Sequence, residues 1–209
     1  MKLIIISPSQ KKESELPHLL FMLENGLSTY HLRKTKFSTK ELHDFIVEIP
    51  EKYHKRLVIH THHELALKFK LKGIYISSAH KKNKIRNWIK MTWFSIRKKN
   101  LQISGTARSI DNVLLKNLDY NYIFLSPVYD SLVGSFQGGF TENTLKILLK
   151  KSKTKVIARG GITPDVIEKS HKLGFSGVAF YSSIWKSKNP SETFTKIISK
   201  FNELNLPIE

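Results

Sequence analysis

Two adjacent glycines in the sequence are flanked by residue types that bind phosphate. The segment 159–163 reads Arg-Gly-Gly-Ile-Thr and ends a short apolar run, and the segment 181–183, Tyr-Ser-Ser, ends a second one. Glycine lets the backbone approach a ligand closely, and free N–H groups at the start of a helix bind phosphate oxygens. The two segments therefore predict one phosphate site, unless they form only a Gly-Gly turn and a serine helix cap. The residues of the predicted site are Gly160, Gly161, Tyr181, Ser182 and Ser183.

Other short apolar runs of the sequence also end in polar or basic side chains. The segment His-Leu-Arg-Lys at 31–34 ends one run, and the segment Thr-Ala-Arg-Ser at 106–109 ends a later one. Three of the six arginines, Arg33, Arg108 and Arg159, fall at such ends. The guanidinium group can donate two parallel hydrogen bonds to one phosphate group, so this placement indicates an anionic ligand.

Four histidines near these ends allow a second interpretation. Imidazoles from neighbouring strand ends can converge on a transition metal, and strand alternation would put His60 and His62 on one face. His63 is expected to begin the following helix, which weakens a three-ligand site. The alternative is that the four are polar residues that help to attract an anion. The four are His60, His62, His63 and His80.

Short β-branched runs alternate with amphipathic stretches along the chain. Strands are predicted over 2–7, 28–33, 56–61, 73–77, 101–107, 121–127, 155–159 and 177–181. Helices are predicted over 14–25, 39–54, 63–71, 109–118, 141–152, from 163 up to Gly174, and over 190–204, while the basic segment 79–99 is read as one short helix or two. Ser38 and Glu41 predict a capping box at the second helix. Eight βα units without a linker favour one (β/α)₈ TIM barrel over residues 1–209, whose chemistry lies at the carboxyl ends of the strands.

The composition narrows the class of protein. Lysine and arginine number 35 against 17 acidic residues, a formal net charge of +18, which favours anionic partners. The lysines are scattered and match no nucleic-acid-binding motif, which disfavours a nucleic-acid partner and favours a phosphorylated small molecule. The absence of cysteine excludes disulfides and thiolate metal sites. No apolar run is long enough to span a membrane and no secretory signal is recognisable, so a cytoplasmic protein is expected.

The order of these segments resembles the family of thiamine phosphate synthases and their thiazole tautomerase relatives. The segments 158–163 and 177–184 resemble the family's phosphate-binding end. Ser-Pro-Val-Tyr at 126–129 is similar to the family's Gly-Pro-Val-Phe, and Thr-Ala-Arg-Ser at 106–109 is similar to its Ser-x-His-Ser. His-Leu-Arg at 31–33 matches its Gln-Leu-Arg. The resemblance covers nearly the whole chain in the same order.

The resemblance implies an activity in thiamine biosynthesis. Family synthases join a hydroxymethylpyrimidine diphosphate to a thiazole phosphate, which releases diphosphate and forms thiamine phosphate. The glycine segment would hold the thiazole phosphate, and Arg33, Thr106 and Arg108 are the implied catalytic residues. The implied contacts to the pyrimidine and its diphosphate are His31, Arg33, Lys34, His60, Thr106 and Ser131.

The resemblance also implies Mg²⁺, which the family binds through two aspartates. This sequence has Thr61 and His80 at those positions, and Mg²⁺ prefers charged oxygen ligands, so no residue is predicted as a metal ligand. Arg33, Lys34 and Arg108 are expected to supply part of the positive charge instead. Two alternatives stay open, namely a tautomerase-like isomerase and a catalytically inactive barrel that binds thiamine precursors or a partner enzyme. The tautomerases have a histidine where this chain has Arg108. A homo-oligomer is compatible with the family.

Two substitutions are expected to distinguish the part of the site that binds the thiazole phosphate from the part that binds the diphosphate. Gly161→Val should abolish binding of a phosphorylated thiazole and leave the fold largely intact. Arg33→Ala should weaken binding of the diphosphate ligand and leave binding of the thiazole phosphate nearly unchanged, because strand two is expected to lie across the barrel mouth from the glycine segment.

Overall fold

Eight parallel strands form a closed barrel, in which each strand pairs with the next and the last pairs with the first. The computed structural model describes residues 1–77, 101–114, 120–130 and 138–209. The strands are β1 Lys2–Ile6, β2 Thr29–Leu32, β3 Leu57–Ile59, β4 Gly73–Ile76, β5 Gln102–Ala107, β6 Tyr122–Leu125, β7 Lys155–Arg159 and β8 Gly177–Phe180. The predicted fold class is confirmed. That residues 1–209 form a single domain stays a prediction.

Helices cover the outside of the barrel. They are α1 Glu15–Glu24, α2 Thr39–Val47, α3 Glu64–Lys68, α4 Ile110–Leu114, α5 Glu142–Lys151, α6 Ile167–Leu173, α7 Ser182–Trp185 and α8 Pro190–Glu203. Two 3₁₀ helices, Glu51–Arg56 and Pro164–Val166, precede β3 and α6. None of the helices in the described ranges combines the length and the apolar character that a membrane span requires.

The second helix differs from its sequence prediction. Its start is as predicted, because the Ser38 hydroxyl accepts a hydrogen bond from the Glu41 N–H and the Glu41 carboxylate accepts one from the Ser38 N–H. The helix ends at Val47, however, and not at residue 54. Pro50 has no N–H and disfavours helical geometry at Ile49, so the chain continues as a 3₁₀ helix. The spacing of the apolar residues does not reveal where the α-helix ends, because a 3₁₀ helix has nearly the same number of residues per turn.

The interior of the barrel is filled by the side chains that alternate inward along the strands. Most are apolar or aromatic and contact one another, namely Ile4, Ile6, Val58, Tyr75, Tyr122, Phe124, Ile157 and Ala179. His31 and His60 are buried among them. Because inward positions recur every second residue, the next inward positions of β2, β5 and β7 bring Arg33, Arg108 and Arg159 to the mouth.

Candidate functional site

A cavity of about 400 Å³ opens at the carboxyl ends of β5 to β8. This volume lies within the range that encloses a small ligand. Its described lining contains no acidic side chain and combines two arginines with the glycine segment. The lining residues are Arg108, Ser126, Pro127, Tyr129, Arg159, Gly160, Gly161, Ile162, Ala179, Tyr181 and Ser182.

The two glycines turn the chain sharply against the loop that follows β6. Gly160 and Gly161 have φ angles of 89° and 65°, which lie in the left-handed region that favours glycine. The carbonyl of Gly160 accepts a hydrogen bond from the Tyr129 N–H at 3.2 Å. A Cβ on Gly161 would overlap the carbonyl oxygen of Asp130. The expectation that Gly161→Val leaves the fold intact is therefore wrong, because a valine would displace the loop itself.

The segment after β8 contributes most of its predicted residues to the cavity. Tyr181 and Ser182 line it. Ser183 faces another way, because its hydroxyl donates a hydrogen bond to the carbonyl of Ile162 at 2.8 Å. That bond ties the start of α7 to the glycine segment, so Ser183 fixes the shape of the loop and does not line the cavity.

The three arginines at the mouth lie close enough to influence one another. Burial lowers the pKa of the Arg159 guanidinium, Tyr75 partly offsets this effect, and the charges of Arg33 and Arg108 add to it. None of the ion pairs among the described residues includes any of the three. The site thus holds positive charge that an anionic ligand would neutralise.

Arg33 contacts the segment that follows β8. Its guanidinium carbon is 5.1 Å from the centre of the Tyr181 ring, and Tyr181 lines the cavity. Only β1 separates β2 from β8 in the closed barrel. Both β8 and β1 lie between β2 and β7, so strand two is nearly opposite the strand that ends in the glycine segment, as expected, and Arg33 nevertheless reaches the wall of the same cavity.

Two histidines form a hydrogen-bonded chain inside the barrel. His31 Nδ1 lies 3.0 Å from His60 Nε2, and His31 Nε2 lies 2.7 Å from the Tyr122 hydroxyl. The His60 ring stacks on Tyr75 with 4.0 Å between the ring centres. Burial holds the pKa of both imidazoles well below the usual value, and the charge of Arg159 lowers both further. Both rings are therefore neutral near pH 7 and act as hydrogen-bonding groups.

Thr106 has a buried hydroxyl oxygen without a hydrogen-bond partner. It lies two residues before Arg108 on β5, so both side chains point to the barrel interior. A buried polar atom usually has a partner, so this hydroxyl is unsatisfied. Thr106 does not line the cavity, so a ligand would contact its oxygen only by reaching below the lining residues.

Lys34 lies outside the mouth. It follows the inward-facing Arg33, so its side chain turns outward between β2 and the helices. There the ammonium group forms a fully buried ion pair with Glu15, whose other carboxylate oxygen accepts a hydrogen bond from Tyr30 at 2.9 Å. The ring of Phe37 lies beneath the ammonium nitrogen at 5.1 Å. Lys34 is therefore not available to a ligand, and its assignment to the diphosphate is withdrawn.

The histidines after β3 do not form the metal site that the sequence allowed. His62 has a φ of 50°, which breaks strand alternation, and its Nε2 faces the carbonyl of Phe37 at 2.8 Å. His63 Nε2 faces the carbonyl of Tyr75 at 3.1 Å, whereas His60 points into the barrel. Within the described ranges no three metal-ligating side chains converge. His80 and Ser131 lie outside the described residues.

Sequence reasoning missed the interior tyrosines of the site. Tyr75 and Tyr122 contact the two buried histidines, and Ser104, also at an inward position, donates a hydrogen bond to the carbonyl of Ile74 at 3.2 Å. The signal was present, because each lies an even number of residues before the polar end of its strand. Tyrosine is also common in ordinary strands, so this spacing alone does not mark the residues as part of a site.

Comparison with known proteins identifies similar chains. Residues 3–184 match the family described as thiamine monophosphate synthase. The chain is 22% identical over 206 residues to the thiamine-phosphate synthase of Methanobrevibacter smithii, with 97% of this chain and 95% of that protein covered. It is 24% identical over 185 residues to the thiamine-phosphate synthase of Clostridium botulinum, with 86% and 83% covered. The crystal structure of thiamine phosphate pyrophosphorylase from Bacteroides thetaiotaomicron superposes with a TM-score of 0.79 at 25% identity, covering 97% of this chain and 98% of that one.

Proposed function

Because this chain belongs to the thiamine monophosphate synthase family, we propose that it is a transferase that joins a hydroxymethylpyrimidine diphosphate to a thiazole phosphate. The carbon–oxygen bond to the diphosphate breaks, and its electron pair leaves with the diphosphate. The thiazole nitrogen then donates its lone pair to the pyrimidine methylene carbon, which forms thiamine phosphate. The observation that carries the proposal is one cavity that joins the glycine segment to Arg108 and Arg159, with Arg33 against its wall at Tyr181, and none of the three has a carboxylate partner among the described residues.

The two phosphorylated ends are assigned to different parts of the mouth. Backbone N–H groups around Gly161 and Ser182 would hold the thiazole phosphate, because a left-handed turn and a helix start direct such groups outward. Arg33, Arg108 and the Thr106 hydroxyl would hold the diphosphate and stabilise the negative charge that builds on its departing oxygen. Arginine suits this role because its geometry matches a phosphate group.

The neutral imidazoles suit the pyrimidine half of the reaction. Carbon–oxygen cleavage leaves positive charge on the pyrimidine, and an imidazolium nearby would repel it. Burial lowers the pKa of His31 and His60, which keeps both rings uncharged. Both nitrogens of His31 are already hydrogen-bonded inside the barrel, so only Nδ1 of His60 is left to contact the heterocycle. The chain from His60 through His31 to Tyr122 holds both rings in fixed orientations.

Mg²⁺, which the family resemblance implies, does not fit the described residues. The hydroxyl of Thr61, at one position where relatives have an aspartate, donates a hydrogen bond to the carbonyl of Lys34 at 3.3 Å. A neutral hydroxyl that already donates its proton to a carbonyl is a poor replacement for a charged oxygen ligand of a hard divalent cation. We therefore derive no step of the reaction through a metal ion.

The transferase function is tested by mixing the purified protein with both half-substrates and measuring diphosphate release. We expect release of diphosphate together with thiamine phosphate. Absence of release at high protein concentration, while thiamine phosphate still raises the melting temperature, would indicate the inactive-binder alternative. The comparisons do not favour that alternative or the tautomerase, because the curated relatives are named as synthases. A cytoplasmic location and a homo-oligomeric state are further parts of the proposal and rest on the family resemblance.

A further inference from the structure

The mouth of the barrel carries positive charge that no described carboxylate neutralises. Arg108 and Arg159 line the cavity, and Arg33 lies against its wall at Tyr181. Asp165 is the acidic residue nearest in sequence to the glycine segment, the backbone of Asp130 packs against Gly161, and both carboxylates have hydrogen-bond partners of their own. The Asp130 carboxylate accepts a hydrogen bond from the Gly138 N–H at 2.8 Å, and the Asp165 carboxylate accepts one from the Thr163 hydroxyl at 3.5 Å.

This charge pattern is unfavourable for a divalent cation. An ion such as Mg²⁺ needs several oxygen ligands with negative charge, and no group of three candidate ligands occurs in the part of the chain that the structure describes. Three guanidinium groups would in addition repel the ion. The same arrangement favours an anion, and the anion is bound more strongly the more negative charge it carries.

The family resemblance implies Mg²⁺, whereas the charge of this site is unfavourable for it. We therefore propose that the chain binds the diphosphate end of its substrate as the metal-free anion, through the guanidinium groups of Arg33, Arg108 and Arg159 and the hydroxyl of Thr106. The inference rests on the proposed function and names the ionic form of the substrate that this site selects. Complexation by Mg²⁺ removes negative charge from a diphosphate, so the complex gains less from the arginines than the free anion does.

The buried hydroxyl of Thr106 is an independent observation that points to the same ligand. Its oxygen has no hydrogen-bond partner, although it lies on the face of β5 that also carries Arg108. A hydroxyl can donate to a diphosphate oxygen, which would satisfy the group.

The test is calorimetric titration of the full chain with inorganic pyrophosphate, once with a chelator and once with an excess of MgCl₂. We expect binding in the chelator, and binding that is several-fold weaker when Mg²⁺ is in excess. Pyrophosphate that binds only in the presence of Mg²⁺ would overturn the proposal.

Matched variants separate a built site from general attraction to a basic protein. Arg108→Gln is expected to weaken pyrophosphate binding about tenfold to hundredfold, as for the loss of a charge-assisted hydrogen bond. Lys150→Gln removes the same charge from the exposed face of α5, far from the mouth, and should leave binding unchanged. Equal weakening by both variants would refute the proposal. Unchanged melting temperatures would show that both variants fold.

Turnover measured in the same two buffers distinguishes this inference from the transferase proposal. Pyrophosphate binding in the chelator without any turnover would support the metal-free anion site and count against the transferase. Turnover that requires Mg²⁺ would support the transferase and overturn the metal-free site. Turnover in the chelator would support both.

Discussion

The two buried imidazoles are expected to make the fold sensitive to acid. The pKa of His31 and His60 is lowered by burial, so the unfolded chain binds more protons than the folded chain once the pH falls below about 6.5. The free energy of unfolding should therefore decrease as the pH is lowered through this range, by up to about 2.7 kcal/mol per pH unit for the two histidines together. Urea unfolding at several pH values between about 7.5 and 5 measures this slope.

The pH dependence of the variant His60→Asn is compared with that of the wild type. The carboxylates contribute equally to the pH dependence of both proteins, so the difference reports on His60. The slope should be shallower in the variant by up to about 1.4 kcal/mol per pH unit. An identical slope in the two proteins would mean that His60 is not neutral in the fold.

The hydroxyl of Thr106 is expected to serve binding at some cost in stability. Thr106→Val keeps the shape of the side chain and removes a buried oxygen that has no hydrogen-bond partner, so the melting temperature should stay the same or rise. Affinity for pyrophosphate should fall by about threefold or more, as for a lost hydrogen bond of roughly 1 kcal/mol.

Thr154→Val is the matched control for that change. Thr154 also has a buried hydroxyl without a partner, but it directly precedes β7, at the opposite end of the barrel. Its removal should affect stability in the same direction and leave pyrophosphate affinity unchanged. If Thr106→Val binds pyrophosphate normally, its hydroxyl does not contact the ligand.

At the level of elements, the buried ion pair between Glu15 and Lys34 joins the start of α1 to the loop that carries Arg33. Burial raises the pKa of the Glu15 carboxyl and lowers that of the Lys34 ammonium, and each group partly offsets the shift of the other. Lys34→Met leaves a carboxylate buried without its partner, so it should destabilise the fold by about 3–5 kcal/mol.

The double variant Glu15→Gln, Lys34→Met removes both charges and should recover most of this loss. Denaturant unfolding of the wild type, both single variants and the double variant gives the coupling free energy of the pair. A double variant as unstable as the sum of the single ones would contradict the assigned pairing.

The repeating elements were predictable from the sequence because their patterns are local. Alternation of β-branched residues predicted every strand of the barrel, and the capping box at Ser38 predicted the start of α2. Relations between elements were not predictable in the same way. The outward turn of Lys34 and the contact between Arg33 and Tyr181 depend on how the barrel closes, and the left-handed φ of His62 depends on its contacts with neighbouring loops.

For the whole molecule, the formal net charge of +18 is expected to make stability depend on salt. The charges repel one another in the compact state, and salt screens that repulsion. The amino terminus, Lys2 and Lys155 all lie beside the carboxylate of Glu209. Burial, together with the charges of Lys2 and Arg56, lowers the pKa of Lys72 to about 8. Sodium chloride should therefore raise the melting temperature by a few degrees, as calorimetry would show.

Glu209→Gln tests the local part of this expectation. The variant removes the carboxylate that pairs with Lys2, Lys155 and the amino terminus, so its melting temperature should rise more steeply with salt than that of the wild type. A melting temperature that falls with salt would mean that attractive pairs outweigh the repulsion.

The pairing of β1 with β8 has a consequence for how the chain is made. Leu3 pairs with Val178, so the ladder that closes the barrel joins two ends of the chain that are synthesised far apart in time. Until β8 leaves the ribosome, the nascent chain has an unpaired sheet edge at β1, which another chain could extend by strand addition. The same excess of lysine that attracts anions would repel neighbouring nascent chains, and so protect the open edge during translation.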